Sequence, residues 1–524
     1  MNESRALWRR AVAVVTGAAL LRILFGALIP LFPDETYYWD WSRRLAPGYF
    51  DHPGGIALAI RLGTIALTPF GGEFSALAVR LGSIVCGWIA AVATVAIADR
   101  LSGPAAALRC AIALSVLPLA AAGLILATPD APLLAATAVG LYCVVRALES
   151  SVSSPASLGW WTLTGIALGA AFCSKYTSIF LPVGVVIAIL SRASLRERLR
   201  EPGPYVACVV ATLAFAPVLI WNAHHDWISF LFQVRHGLAK PEGSALRAAW
   251  RHEGDFFGGQ AGLASPILFI MLGIATFKAL RKRSAAHRDP SVASLHQDDA
   301  RFILAVVALL SFGFFVYSAL RQRVEPNWPA PAYIPAIVLL ATAAWGTTAQ
   351  KWLRAGIIFA AVMSVVIYAQ GIAPILPLAP RKDPIARAFG WSEMTQQADE
   401  QMQSAMNETH APTWLGGDRY QEASVLAFYT PSHPRVFSTN LSGRPNQYDL
   451  WPRFPDVAKQ GDNLVIVVDD SEEGNPHEAI KALSPYFAEA RRGALAPLRR
   501  GAGEIGTRRV WTLIGWRGGW PAPR

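Results

Sequence analysis

The chain has 524 residues, of which 53% are hydrophobic and only 16% charged, with a mean hydropathy of +0.33. A charged fraction so far below the usual quarter excludes an ordinary soluble protein. The formal net charge of +11 does not argue for nucleic acid, because Lys and Arg cluster in short loops between apolar runs, where they report topology.

In chain order, apolar runs predict spans over about 8–31, 75–98, 104–126, 131–148, 159–173, 176–191, 205–221, 263–280, 302–320, 331–347 and 354–374. That is a polytopic α-helical membrane protein of about eleven transmembrane helices, or up to about thirteen. The first run lacks a small-residue cleavage site and reads as a retained helix. Two short, closely joined runs around "FCSKYTS" predict tilted or broken helices. Arg5, Arg9 and Arg10 precede the first span, Arg100 and Arg109 follow the second, and Arg146 closes the fourth. "SRASLRERLR" follows the sixth, "KALRKRS" the eighth, and Lys351 with Arg354 the tenth. All lie on one side if the N-terminus is cytoplasmic, and the C-terminus is then outside.

Residues 1–379 therefore form the membrane domain, with outer loops 32–74 and 222–262 and a polar cytoplasmic loop at 284–300. Residues 380–524 read as an extracytoplasmic α/β domain. Its "NLVIVVDD" and "VWTLIGW" predict strands, and "HEAIKALSPYFAEARR" predicts an amphipathic helix. It has no phosphate-binding glycine motif and none of the chain's five cysteines, so neither nucleotide binding nor disulfides are expected there.

The topology sorts the polar groups. Asp34, Glu35, Asp51, His52, Asp130 and Lys175 fall on the outer face, together with "NAHHDW", "RHEGDFFGGQ" and "RQRVEPNWP". The other face holds mostly Arg and Lys, so the active site is expected outside. Adjacent carboxylates at Asp34 and Glu35 repel each other and are costly to desolvate near a bilayer, so something must offset that cost. They also suit the first turn of a helix. Asp130 reads both as a helix cap and as a site acid, and the two are compatible. Tyr37, Tyr38, Trp39 and Trp41 fit an interfacial belt better than a substrate platform. Lys175 and Arg323 fit either lipid headgroups or a bound phosphate. Arg22, inside the first span, needs an acidic or carbonyl partner. His224, His225 and Asp226 resemble a metal cluster, although adjacent histidines face different ways.

Carboxylates that orient a hydroxyl, with cations that neutralise a leaving phosphate, suit group transfer from a phosphate carrier. Nucleotide sugars are cytosolic, so an outward-facing site suggests a sugar carried on a polyprenyl phosphate.

"PDETYYWDWSRRLAPGYFDHPGG", "ATPDAPLL", "ALGAAFCSKYT" and "RQRVEPNWPAPAY" resemble the bacterial branch of the protein O-mannosyltransferase superfamily, glycosyltransferase family 39, which includes the aminoarabinose transferases of lipid A. "DRYQEASVLAFYT" and "NQYDLWPRF" resemble segments of its extracytoplasmic domains. The resemblance implies a GT-C-type fold and an inverting glycosyltransferase that moves a sugar from a polyprenyl-phosphate carrier. The acceptor would be lipid A or lipopolysaccharide, another lipid, or protein, on the outer face of the bacterial cytoplasmic membrane. It implies Asp34 as the base, Glu35 and Asp130 as further catalytic acids, and Lys175, Arg323, Glu325 and Asn327 as donor-binding residues. His52 stands where the aminoarabinose transferases have lysine, which makes a phosphate contact there pH-dependent. A divalent cation, Mg²⁺ or Mn²⁺, on Asp34, Glu35 and Asp130 is compatible but not required. Expected partners are the lipid-linked donor, the acceptor and membrane lipids, with no nucleic acid. The competing reading is a lipid-linked sugar transporter or flippase, which needs polar groups through the membrane depth and on both faces.

Overall fold

The computed structural model describes residues 2–237, 245–281, 292–441, 443–469 and 477–521. Every apolar segment expected to cross falls on helix, from Asn2–Leu28 to Thr347–Ile372. Among the described residues, six helices are long and apolar enough to cross a membrane, or up to eight if each bent pair is one span. The chain is a multi-pass membrane protein. Breaks fall where the sequence forces them. Pro118 divides the third run into Pro104–Val116 and Pro118–Gly123, because proline excludes the helical conformation from Leu117, whose ψ is 128°. Of the predicted loop 284–300, residues 284–291 lie outside the described residues, and residues 292–300 begin the helix Val292–Ala319.

The Arg-rich loops meet one another at one end of the bundle. Arg100 pairs with Glu149 at 2.6 Å, Arg198 donates to the Leu148 carbonyl, Arg192 pairs with Asp299, and Arg301 donates to the Leu101 carbonyl.

The expected outer loops are largely helical. Residues 32–74 hold the helices Pro33–Ser42 and Gly55–Leu67, and 222–262 hold Ile228–Gly237 and part of Ala245–Ala264. Gly55–Leu67 has only 13 residues, short of the roughly 20 that a span requires, so a length test passes over it. It crosses the helix Ala76–Ser102 at Gly82, where an added Cβ would stand 2.0 Å from the Ala59 carbonyl. Small residues let the two backbones touch.

The C-terminal domain is built on a five-stranded sheet of order β2-β1-β3-β5-β4, with β1 Thr413–Gly417, β2 Val436–Ser438, β3 Asn463–Val468, β4 Phe487–Arg500 and β5 Gly503–Trp516. β1 runs parallel to β2 and β3, and β5 is antiparallel to β3 and β4. The two expected strands lie in β3 and β5. The expected helix does not continue past Leu483: Pro485 follows it, and Phe487 to Arg492 join β4, facing Trp516 to Trp511. Pairing with a long neighbour overrides a helical pattern there.

The two domains share a core. Tyr37, Trp39 and Trp41 are buried in one cluster with Leu415, Leu426 and Val465 of the sheet domain. Trp39 meets Phe428 edge-on at 5.0 Å, and Trp41 stacks on Tyr49 at 4.3 Å. Trp39 and Trp41 thus belong to the seam between domains rather than to a membrane belt, while Tyr37 and Tyr38 also line the cavity that Asp34 faces. Burying each large side chain contributes roughly 1.5–3 kcal/mol. At the linker, buried Arg500 engages Asp383 and the Gln370 carbonyl, and Gln370 donates to Asp383 at 2.8 Å.

Candidate active site

The adjacent carboxylates are resolved by facing different partners. Pro33 starts the helix Pro33–Ser42 and puts Asp34 and Glu35 in its first turn. Glu35 is buried and fully engaged. It receives Arg80 Nε at 2.8 Å and Arg80 Nη2 at 2.5 Å, together with the backbone N–H groups of Phe32 and Ala127 at 3.0 and 2.9 Å. Arg80 also donates to the carbonyls of Gly26, Ile29 and Pro30 at the end of the first helix. One ion pair therefore ties three segments together, which repays the desolvation of both charges. Glu35 does not line the cavity, and its geometry is that of an anchor. Arg22, also buried, lies near the phenol of Tyr368, and its Nε has no hydrogen-bond partner among the described residues.

Asp34 faces a cavity of about 750 Å³. The C-terminal domain reaches it there: Tyr420 donates to Asp34 Oδ1 at 3.1 Å. The carboxyl stays accessible from the cavity, yet the surrounding protein strips it of bulk water and raises it above the usual carboxylate range. Tyr420 and the positive charge of Arg444 work against that rise.

The "YFDHPGG" segment is clamped from both sides. Buried Asp51 accepts from Tyr37 at 2.7 Å and from Arg444 of the C-terminal domain at 2.7 Å. Burial would lower the Arg444 guanidinium, but Asp51 and Tyr420 outweigh it and hold its charge. Gln447 accepts from the Phe50 N–H at 2.8 Å. At Gly55 a Cβ would stand 2.7 Å from the Cys173 carbonyl, which accepts from the Gly55 N–H at 2.8 Å. Only glycine lets this segment lie against the "CSK" turn. His52 lines the cavity, with Nδ1 3.4 Å from Gln233 Nε2.

Three predicted residues, from distant segments, converge on a second polar centre. Asp130 is the first residue of the helix Asp130–Glu149, with no side-chain cap bond, so the capping expectation is replaced by a tertiary role. Its Oδ1 accepts from Lys175 Nζ at 2.7 Å and its Oδ2 from Asn327 Nδ2 at 2.7 Å. Lys175 projects from the extended break between Pro155–Phe172 and the Tyr176–Ile179 turn, as the short joined runs predicted. All three line the cavity, as does Glu325. Arg323 does not; its side chain is 72% exposed and pairs with Glu325 at 3.6 Å.

The carboxylates suggested for a cation are separately committed, Glu35 to Arg80 and Asp130 to Lys175 and Asn327. Among the described residues no group of three or more His, Cys, Asp or Glu side chains is arranged to hold a metal ion. The trio of Asp34, Glu35 and Asp130 does not fit one. His225 places Nδ1 2.7 Å from the Trp221 carbonyl and stacks on that ring, outside any such cluster.

Tyr420, Arg444 and Arg387 line the cavity from the C-terminal domain and were not singled out from the sequence. A signal existed: Tyr420 lies in "DRYQEASVLAFYT", and Arg444 stands two residues before "NQYDLWPRF".

Comparisons with known proteins bear on the fold that holds this site. Residues 51–221 match the family model described as dolichyl-phosphate-mannose-protein mannosyltransferase. The structure superposes on the crystal structure of ArnT from Cupriavidus metallidurans in the apo state, with a TM-score of 0.62 at 17% identity, covering 97% of this chain and 98% of that one. The chain has the GT-C fold of ArnT. The undecaprenyl-phosphate-bound form of the same protein gives a TM-score of 0.61 at 17% identity over the same shares of both chains. A lipid A galacturonosyltransferase, RgtD of Rhizobium johnstonii, is 26% identical over 449 residues, 84% of this chain and 87% of its own. The family pattern thus covers the segment that carries Asp51, His52, Asp130 and Lys175, and the fold likeness extends through the C-terminal domain.

Proposed function

We propose that this chain is an inverting glycosyltransferase of the bacterial cytoplasmic membrane, moving a sugar from a polyprenyl-phosphate carrier to an acceptor on the outer face. The acceptor class best supported is lipid A or a related lipopolysaccharide, as for RgtD. The observation that carries the reading is one cavity lined by both an accessible acid, Asp34, and a cation, Lys175, that is held by Asp130.

Asp34 takes the proton of the acceptor hydroxyl as its oxygen attacks the anomeric carbon. The bond to the acceptor forms as the bond from that carbon to the phosphate oxygen breaks, and the phosphate leaves with the electron pair. Attack opposite the leaving group inverts the centre, with no covalent enzyme intermediate. Lys175 meets the charge that develops on the phosphate, while Asp130 and Asn327 hold it in place. Asp130 is thus a positioning residue, and so is Glu35 through its grip on the helix that carries Asp34. Glu325 and His52, which line the same cavity, contact the sugar or phosphate in this reading. No step runs through a metal.

The membrane arrangement that accompanies this reading has eleven crossings, a cytoplasmic N-terminus and a periplasmic C-terminal domain. Gly55–Leu67 lies on the outer side without crossing. The meeting of Arg-rich loops at the end opposite Asp34 supports it. A flippase is less well supported, since the cavity's polar groups gather at one end.

The test is reconstitution of the full chain in liposomes with an undecaprenyl-phosphate-linked sugar and lipid A. Release of undecaprenyl phosphate in step with glycosylated lipid A supports transfer. Donor translocation without product supports the flippase.

A further inference from the structure

Beyond the cavity that holds Asp34 and Lys175, a second cavity of about 310 Å³ opens at the domain seam. The two share three lining residues, Asp34, Arg387 and Tyr420. Asp34 is therefore reached from two sides, and only one of them contains Asp130 and Lys175.

The second cavity has a definite chemistry. It is lined by the uncapped first turn of the helix Tyr420–Tyr429 and by the guanidinium-bearing Arg387 and Arg419. Arg387 and Arg419 are exposed, and neither makes a side-chain hydrogen bond or ion pair among the described residues. Arg508, by contrast, is committed to Glu422 at 2.9 Å and Asp469 at 3.1 Å. Guanidinium groups that are not ion-paired, beside open helix N–H groups, favour an anion, although Arg387 and Arg419 also act at longer range on Asp34 and Glu422. The same wall holds a different kind of group. Glu422 is 1% exposed, its Oε1 receives Arg508, and its Oε2 has no partner. A buried carboxylate oxygen without a donor is costly, and a ligand hydroxyl reaching it would offset that cost. Trp391 and Phe389 complete the lining with aromatic surface, which suits the face of a sugar ring.

We propose that this second cavity is the acceptor subsite and takes a saccharide bearing a phosphate or carboxylate. The anionic group sits on Arg387 and Arg419, a ring hydroxyl donates to Glu422, and the accepting hydroxyl reaches Asp34 from the side opposite the donor. The assignment rests on the glycosyltransferase reading for its name, but the binding it describes is measurable without any transfer.

The test is calorimetric titration of the full chain in detergent with glucosamine 1-phosphate, glucosamine and inorganic phosphate, repeated on Arg419→Ala. Arg419 lines only the second cavity and is exposed, so its truncation spares folding. Glucosamine 1-phosphate is expected to bind at least about tenfold more tightly than either fragment, and Arg419→Ala to weaken it about tenfold. Equal binding of glucosamine would remove the anion site, and equal binding of phosphate would remove saccharide recognition. Undetectable binding, or affinity unchanged in Arg419→Ala, would overturn the proposal. Loss of transfer in the liposome assay with these affinities intact would instead overturn the glycosyltransferase reading and leave a saccharide site.

Discussion

Tyr420, on the first turn of a helix in the C-terminal domain, donates a hydrogen bond to Asp34 at 3.1 Å. The residue assigned as base is thus tuned by a domain that lies outside the membrane bundle. Burial raises the Asp34 carboxyl and the Tyr420 bond lowers it, so the two domains set its proton affinity together.

Tyr420→Phe removes the lowering influence. The Asp34 carboxyl then rises further, and because the base must be ionised, the acid limb of the rate profile moves to higher pH. On that limb kcat/KM is expected to fall about tenfold, with the alkaline side much less affected. A pH profile of transfer by the purified variant checks this. An unmoved acid limb would detach Tyr420 from the base.

Glu35 and Arg80 behave as structure. Glu35→Gln leaves a buried guanidinium without its counter-charge, and breaking such a pair costs about 3–5 kcal/mol. The expected result is a markedly lower melting temperature in detergent, whereas the folded fraction at low temperature keeps most of its turnover. Arg80→Met combined with Glu35→Gln should cost less than the sum of the single changes. Fluorescence-detected melting of the three variants measures both points.

Some of this was legible in the sequence. The apolar runs located the helices, charge sorting by topology put Asp130 and Lys175 on one face, and the family resemblance added Asn327; the structure joins the three through two bonds of 2.7 Å. What local pattern could not show depended on contacts across the chain. The engagement of Glu35 by Arg80, 45 positions on, is one such contact. Tyr37, Trp39 and Trp41 read as a membrane belt because nothing local announces that a sheet domain covers them. Arg444 meets Asp51 across 393 positions, a separation at which spacing carries no information. Phe487 to Arg492 kept a helical pattern, and strand pairing overrode it.

Lys175, Asp130 and Asn327 form one unit, so their removal should be non-additive. Lys175→Met is expected to lower kcat/KM for the lipid-linked donor about a hundredfold, Asp130→Asn somewhat less, and the double variant little more than Lys175→Met alone. Donor-dependent kinetics in liposomes provide the cycle. Full additivity would mean that Lys175 and Asp130 act separately.

Arg323 is 72% exposed and, among the described residues, pairs only with an exposed Glu325. Such pairs contribute about 0–1 kcal/mol. Arg323→Ala is therefore expected to change donor KM by less than about threefold, and high salt should mimic the effect. A loss comparable to that of Lys175→Met would show that the 321–329 segment closes onto the donor phosphate.

The most direct test of the central claim compares membrane glycolipids and surface glycans, by mass spectrometry, in cells carrying the native chain or Asp34→Asn at matched membrane abundance. The account predicts that one glycan disappears from the variant while its polyprenyl-phosphate sugar accumulates, which names donor and acceptor together. Identical profiles, with both proteins folded and expressed, would contradict Asp34 as the base and with it the transferase chemistry assigned to this cavity.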